Sequence, residues 1–206
     1  MGIWLIGLSY LLGSISSAIV VCRLGEYPDP RAEGSGNPGA TNVLRIAGKR
    51  AAAVTLAGDL LKGLLPLLLG RALGVSEATL ALMAMAAFLG HLYPVFFGFQ
   101  GGKGVATFIG VLYGLAWPAG VAFMLTWLAV AGLFRYSSLA GLAATAASPA
   151  WVYWARGSRL ALVAVIGMGA LLFWRHRTNI RNLLDGTEPK VKKPGATRSS
   201  TNAAGR

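Results

Sequence analysis

VATFIGVLYGLAWPAGVAFMLTWLAVAGLF, residues 105–134, runs for thirty residues without a charged side chain. As one helix it would be about 45 Å long, well beyond the ~30 Å hydrocarbon core of a bilayer. Trp117-Pro118 lies near its middle, and a proline disrupts a helix interior. Two short helices with a turn at Trp117-Pro118 therefore fit better than one long one. Working outward, further apolar runs occupy 3–22, 51–70, 77–97, 139–155 and 159–174, beside 105–117 and 119–134. This pattern predicts an all-α membrane protein with seven transmembrane helices.

Composition agrees. The 206 residues are 55% hydrophobic and only 13% charged, against about 25% charged in soluble domains. The net charge of +12 would suggest a nucleic-acid partner in a soluble protein. In this apolar setting basic residues set topology instead, so no nucleic-acid partner is expected. The single cysteine, Cys22, allows no internal disulfide and gives no metal pattern, and no metal is expected. The N-terminal run lacks a basic start and is too long for a cleavable signal, so it reads as a retained first span.

Charge orients the seven spans. With the N-terminus outside, the loops 23–50, 98–104 and 135–138 and the tail from 175 share one side, which holds 15 of the 19 Lys and Arg. The other side holds 3, and Lys62 lies within a span. The rich side is expected to be cytoplasmic, with the C-terminus there. Residues 1–188 form the expected membrane domain. From Pro189 the tail 189–206 is basic, nearly devoid of apolar residues and expected to be disordered.

The unusual loops all fall on that one side. In FGFQGGKGVAT, Gly101, Gly102 and Gly104 can expose backbone N–H groups, and Lys103 adds a point charge just before a helix N-terminus. Such a segment is suited to phosphate, though a flexible interhelical turn with an orienting lysine accounts for it equally well. It is not a Walker A loop, because Phe97 stands at the first glycine position. In AEGSGNPGATNVLR, residues 32–45, glycines including Gly36 permit positive φ, while Ser35, Asn37, Thr41 and Asn42 are polar. Arg45 can grip phosphate, and it falls at the expected start of the next helix, where the dipole disfavours a cation unless an anion is near. A helix-capping turn with topological arginines is the alternative. His176 and Asn179 are spaced i, i+3 and share a helix face, facing either a ligand or the interface. Glu188 reads as a structural partner for a loop arginine. His91 reads as a buried, hydrogen-bonded helix-end residue. Asp59 and Lys62, also i, i+3 within the second span, form either a structural ion pair or part of a translocation route. There is no His-x₄-Asp and no G-x-S-x-G elbow.

GSGNPGATNVLR (34–45), GHLYPVFFGFQGGKGVAT (90–107) and RHRTNI…GTEPK (175–190), in that order, resemble the bacterial membrane-integral glycerol-3-phosphate acyltransferases that use acyl phosphate. The resemblance implies a seven-helix protein of the inner membrane with its active site facing the cytoplasm. It implies transfer of a fatty acyl group from acyl phosphate to the 1-hydroxyl of glycerol 3-phosphate. The products are 1-acylglycerol 3-phosphate and inorganic phosphate, in the first acylation of phospholipid synthesis. No cofactor is implied, membrane lipid is the surrounding partner, and a monomer is expected. By position, Ser35, Arg45, Lys103, His176 and Asn179 match functional residues of the family, and Glu188 matches a structural one. Gln100 departs from a common lysine, and Gly141 from a common serine. On this reading Lys103, His176 and Asn179 are the catalytic candidates. Ser35, Gly36, Asn37, Thr41, Asn42, Arg45 and the 101–104 loop are the substrate-binding ones. Two rival classes are a transporter for a phosphorylated solute and a scaffold that recruits acidic partners through its basic tail.

Overall fold

The computed structural model describes residues 2–156 and 158–191, and all regular structure among them is helical. The expected tail therefore lies mostly outside the described residues. Its first part does not hang free: the Val191 N–H donates to the Arg135 carbonyl at 2.7 Å, and Arg135 Nη2 donates to the Val191 carbonyl at 2.9 Å.

The first apolar run is not one helix. Helices α1 (Gly2–Gly13) and α2 (Ser17–Leu24) meet at 44°. The break falls in Ser14-Ile15-Ser16, where the Ser14 hydroxyl donates to the Tyr10 carbonyl at 2.8 Å. A break within a membrane needs partners for the freed carbonyls, and Lys62 Nζ donates to the Ile15 carbonyl at 2.8 Å. A short helix α3 (Ala40–Ile46) then interrupts the first loop, and α4 (Gly48–Ala72) follows. Helix α5 (Glu77–Leu92) runs into a 3₁₀ turn at Val95–Phe97. The Ser76 side chain caps α5 by accepting from the Thr79 N–H.

Helices α6 (Val105–Leu115) and α7 (Trp117–Phe134) divide the long apolar stretch as the proline suggests. The extended residue is Ala116, with φ −154° and ψ 93°. Trp117 and Pro118 already belong to the first turn of α7, where a missing N–H costs nothing. Helices α8 (Ser137–Arg156), α9 (Arg159–Arg175) and α10 (Arg177–Leu184) complete the chain, with a 60° bend between the last two.

By length and composition α4, α5 with its 3₁₀ turn, and α7 can each cross a bilayer, and each bent pair can form one more span. The protein is an integral membrane protein in its apolar helices, and Leu, Trp and Phe side chains crowd its exposed surface. Packing uses small residues, as expected where lipid removes the hydrophobic drive between helices. Phe88, Phe108 and Phe123 stack edge to face at 6.0 and 5.8 Å, joining α5, α6 and α7. Where α4 and α6 meet, each helix has one glycine with no room for a side chain. A Cβ on Gly110 would lie 2.0 Å from the Leu60 carbonyl oxygen, and one on Gly63 would lie 2.3 Å from that of Thr107. Gly110→Ala is expected to cost about 1–3 kcal/mol by forcing the helices apart. Thermal unfolding in detergent should show this as a fall of several degrees, at about 2–4 °C per kcal/mol.

Candidate functional site

The first loop builds its shape from its own polar groups. Asn42, 1% exposed, accepts from the Ser35 N–H at 2.9 Å and donates to the carbonyls of Pro30 at 2.8 Å and Glu33 at 2.9 Å. Its amide is the staple of the loop, and the structure gives it no reach toward a ligand. Gly34 has φ +65°, and a Cβ there would meet Asn42 Oδ1, so both backbone conformation and the staple require glycine. Arg31 clamps Asp29 through Nη2–Oδ2 at 2.6 Å, which holds that carboxyl below its ordinary range. Ser35, Gly36, Thr41 and Arg45 are exposed, and Asn37 is half-buried. Thr41 Oγ1 is 3.5 Å from Ser137 Oγ at the start of α8.

Arg45 corrects an expectation. It sits in the last turn of α3, not at the start of the next helix. A cation is favoured at a helix C-terminus, so the dipole argument for a neighbouring anion does not hold.

The glycines of the 101–104 loop are explained first by close packing. Gly101 and Gly102 are buried, and a Cβ on Gly101 would lie 2.0 Å from the His91 carbonyl oxygen. One on Gly102 would lie 2.4 Å from His91 Nε2 and 2.9 Å from the Pro38 carbonyl oxygen. The Gly102 N–H donates to the His91 carbonyl at 3.2 Å, so it is not an open anion donor. The Gly101 carbonyl accepts from Arg175 Nη2 at 2.7 Å. Gly104, with φ +93°, is the N-cap of α6. Lys103 is thereby held directly before a helix N-terminus, half-buried, between the first loop and the end of α9.

At the other end of the site, the α9–α10 bend places His176 at the N-cap of α10 and Asn179 one turn on. Asn179 is a bridge. Its Oδ1 accepts from Lys103 Nζ at 2.5 Å, and its Nδ2 donates to Glu188 Oε1 at 2.7 Å. Ser138 Oγ donates to the same carboxylate at 2.5 Å, and Asn182 Nδ2 reaches it at 3.5 Å. Glu188 thus has a structural place, but its partners are Ser138, Asn179 and Asn182 and not the loop arginine expected. Ser138 and Arg175 were missed by sequence reading. A serine in a helix-start pair and an arginine among topological cations carry no distinguishing signal.

Electrostatics concentrate positive charge here. Burial lowers the Lys103 pKa, Glu188 works against this, and the like charges of Arg175 and Arg45 lower it further. Lys103 therefore lies within the field of two further cations from two other segments, with the Glu188 carboxylate opposing them. His176, 4% exposed, has Nδ1 2.8 Å from the Leu172 carbonyl. A carbonyl only accepts, so Nδ1 carries the proton and Nε2 is left with a lone pair. Burial is the main cause that holds its pKa down to about 4, with Lys103 and Arg175 adding to the effect. Because the folded value lies below the ordinary 6.5, the neutral ring's contribution to stability is complete above that pH. It is lost as pH falls toward the folded value. The His176 ring resonances of the substrate-free protein should accordingly show no titration between about pH 5.5 and 8, as NMR of ring-labelled protein would test.

Beside this polar cluster lies an apolar cavity of about 520 Å³, walled by α8 (Leu139, Leu142), α9 (Phe173) and α10 (Ile180, Leu183). Helix α10 separates the two, with Asn179 toward the cations and Ile180 toward the cavity.

The family model described as glycerol-3-phosphate acyltransferase matches residues 3–186. The chain belongs to this family. It is therefore an acyltransferase, as the resemblance of its three motifs implied. The glycerol-3-phosphate acyltransferase of Thioalkalivibrio sulfidiphilus is 55% identical over 183 residues, 89% of this chain and 90% of the relative. That of Methylococcus capsulatus is 56% identical over 187 residues, covering 91% and 94%. The crystal structure of PlsY (YgiH), an integral membrane glycerol 3-phosphate acyltransferase, in its glycerol 3-phosphate form is 40% identical with a TM-score of 0.89. It aligns with 93% of this chain and 96% of its own. The lysophosphatidic acid form of PlsY has a TM-score of 0.86 at 38% identity, covering 93% and 95%. Membership gives the Lys103–Asn179–Glu188 chain of contacts a chemical context: it lies inside the acyltransferase fold, beside an apolar cavity.

Proposed function

We propose that this acyltransferase moves a fatty acyl group from acyl phosphate to the 1-hydroxyl of glycerol 3-phosphate, releasing 1-acylglycerol 3-phosphate and inorganic phosphate. The observation that carries the reading is Lys103, bonded to Asn179 and through it to Glu188 and subject to the charges of Arg45 and Arg175, next to a cavity lined only by apolar side chains. Two phosphorylated substrates need offset charge, and a fatty chain needs an apolar bed. The relatives crystallised with glycerol 3-phosphate and with lysophosphatidic acid support the acceptor and the product.

Acyl phosphate is an activated mixed anhydride, so the site's task is to hold two anions against their repulsion and align them. Proximity of this kind lowers a barrier by roughly 7–11 kcal/mol. Lys103, Arg45 and the N-terminus of α6 take the phosphates, with Ser35, Thr41 and the Asn37 side chain as neighbouring donors; the Gly36 N–H is already given to the Glu33 carbonyl and shapes the loop. Asn179 orients Lys103 and, with His176, the glycerol. The hydroxyl oxygen bonds to the acyl carbon, the carbon–oxygen bond to phosphate breaks, and the hydroxyl proton passes to a phosphate oxygen. No protein base is required on this route; the alternative is a His176 base, acting through the Nε2 lone pair left when Nδ1 donates to the Leu172 carbonyl. No cofactor enters the scheme.

In the same reading the domain spans 1–188, with α6 and α8 joining α4, α5, α7 and the two bent pairs to make seven spans. Helix α6, with 11 residues and about 16 Å, is the shortest of the seven. The N-terminus lies outside and the cation-rich loops face the cytoplasm at the bacterial inner membrane, as the lysine and arginine bias supports. The test is phosphate release by purified protein given palmitoyl phosphate, with and without glycerol 3-phosphate. Release that requires glycerol 3-phosphate and yields lysophosphatidic acid supports the reading. Absence of release by folded protein in lipid overturns it in favour of solute transport.

A further inference from the structure

Three titratable side chains are buried away from the cluster just described. Asp59 and Lys62 in α4 and His91 in the last turn of α5 are 2%, 8% and 6% exposed. Lys62 Nζ lies 2.8 Å from Asp59 Oδ1, and His91 Nδ1 lies 3.7 Å from the same oxygen. Such a group is a poor source of stability, since desolvating two charges costs about as much as their attraction returns. Its position suggests another use. Lys62 also holds the Ile15 carbonyl at the α1–α2 break, 2.8 Å away. The His91 carbonyl receives the Gly102 N–H, and the His91 ring backs directly onto the Gly102 Cα, where a Cβ would lie 2.4 Å from Nε2. Gly102 in turn touches the Pro38 carbonyl of the first loop. A connected set of contacts thus runs from the helix break, through the Lys62–Asp59 pair, to the His91 ring packed under Gly102, the residue preceding Lys103; the Asp59–His91 step is an electrostatic approach of 3.7 Å, not a hydrogen bond.

We infer that Asp59, Lys62 and His91 are positioning residues that set the height and orientation of the 101–104 loop, and so the placing of Lys103 against a substrate phosphate. None of the three touches substrate. The floor under Gly102 is the His91 ring, the Asp59 carboxylate stands behind that ring, and Lys62 fixes the carboxylate while tying in the broken first span. A packed apolar residue at 91 would fill the space without fixing the ring's rotation. The buried carboxylate, 3.7 Å from Nδ1, attracts that edge of the ring, which dispersion contacts alone do not do. This inference rests on the reading of the 101–104 loop as a phosphate-binding loop.

The test compares the full chain with Asp59→Asn/Lys62→Met, which removes both charges together, with His91→Gln, and with Lys103→Ala as a control, all purified in the same detergent. KM and kcat for acyl phosphate and glycerol 3-phosphate are measured beside the fraction folded. The expected result for the double variant is a KM for a phosphorylated substrate raised about tenfold, with kcat per folded molecule within about twofold of the parent. His91→Gln should shift the same KM by a smaller factor. A purely structural role would lower the folded fraction and leave both KM values alone, and that result overturns the inference. If the double variant does not fold, His91→Gln decides alone: both KM values unchanged overturn it. A parent protein with no glycerol-3-phosphate-dependent release means instead that the proposed reaction has failed. A working parent, an inactive Lys103→Ala and unchanged KM values in the other variants mean that only the positioning role has failed.

Discussion

Lys103→Ala should lower acyl transfer by about 100- to 1000-fold while leaving the protein folded. The size follows from what one preorganised donor to a developing or bound anion is worth in a water-poor site. Lys103 is half-buried before the N-terminus of α6, and its ammonium is fixed by Asn179 Oδ1 at 2.5 Å. Its loss removes the cation nearest the junction of three segments. Folding should survive because the loop is held by other bonds: Gly102 to the His91 carbonyl and Arg175 to the Gly101 carbonyl. Removing a cation from among Arg45, Arg175 and Lys103 also relieves repulsion, so stability should hold or rise slightly. Lys103→Arg should recover little, because the wider guanidinium does not fit the geometry that an ammonium occupies against Asn179. The measurement is phosphate release at saturating substrates beside a thermal melt. Activity within about tenfold of the parent in a folded Lys103→Ala would remove this lysine from the chemistry.

Much of the helical architecture was readable because lipid leaves the backbone so few choices. A spanning segment must satisfy its own hydrogen bonds, so apolar length and helix nearly coincide. That is why 51–70, 77–97 and 159–174 fall close to α4, α5 and α9, and why Pro118 marks the division of α6 from α7. The break at Ser14–Ser16 was not readable. It depends on a lysine 47 residues away reaching the Ile15 carbonyl, and local sequence carries no trace of that. Helix α3 was hidden for a different reason, since seven residues are too few to show periodicity. Missing α3 also put Arg45 at the wrong end of a helix.

The site was legible in its residue types more than in its contacts. The i, i+3 spacing of Asp59–Lys62 carries over directly, because it depends on one helix. His176 instead caps α10 at the 60° bend, with its ring bonded back to the Leu172 carbonyl in α9. The glycines of 101–104 suggested open amides, whereas Gly101 and Gly102 are glycine because α5 and the first loop press against them. Asn42 looked like a ligand donor and is the staple of its loop. In both cases the deciding neighbour is distant in sequence or lies across a turn of unknown shape. Hydrogen-bonding capacity is visible in a sequence, but which groups already have partners is a property of the fold.

Glu188→Ala should reduce both stability and activity, and in this it should differ from Lys103→Ala. The carboxylate accepts from Ser138 at 2.5 Å, from Asn179 at 2.7 Å and from Asn182 at 3.5 Å. Those donors belong to α8 and α10, so the residue ties the segment after α10 to two helices. Alanine leaves the Asn179 amide and the Ser138 hydroxyl without their acceptor, at about 1–3 kcal/mol for partly buried groups. Asn179 is then free to rotate, and Lys103 loses the partner that aims it. Acyl transfer should fall by about 10- to 100-fold, with a melting temperature several degrees lower. Glu188→Gln retains an acceptor oxygen for Asn179 but no charge opposite Lys103. It should therefore recover most of the stability and only part of the activity. Equal recovery of both by glutamine would mean that the carboxylate's charge plays no part. Full activity in Glu188→Ala would show that Lys103 is aimed without this chain of contacts, and Asn179 would then be the residue to test in its place.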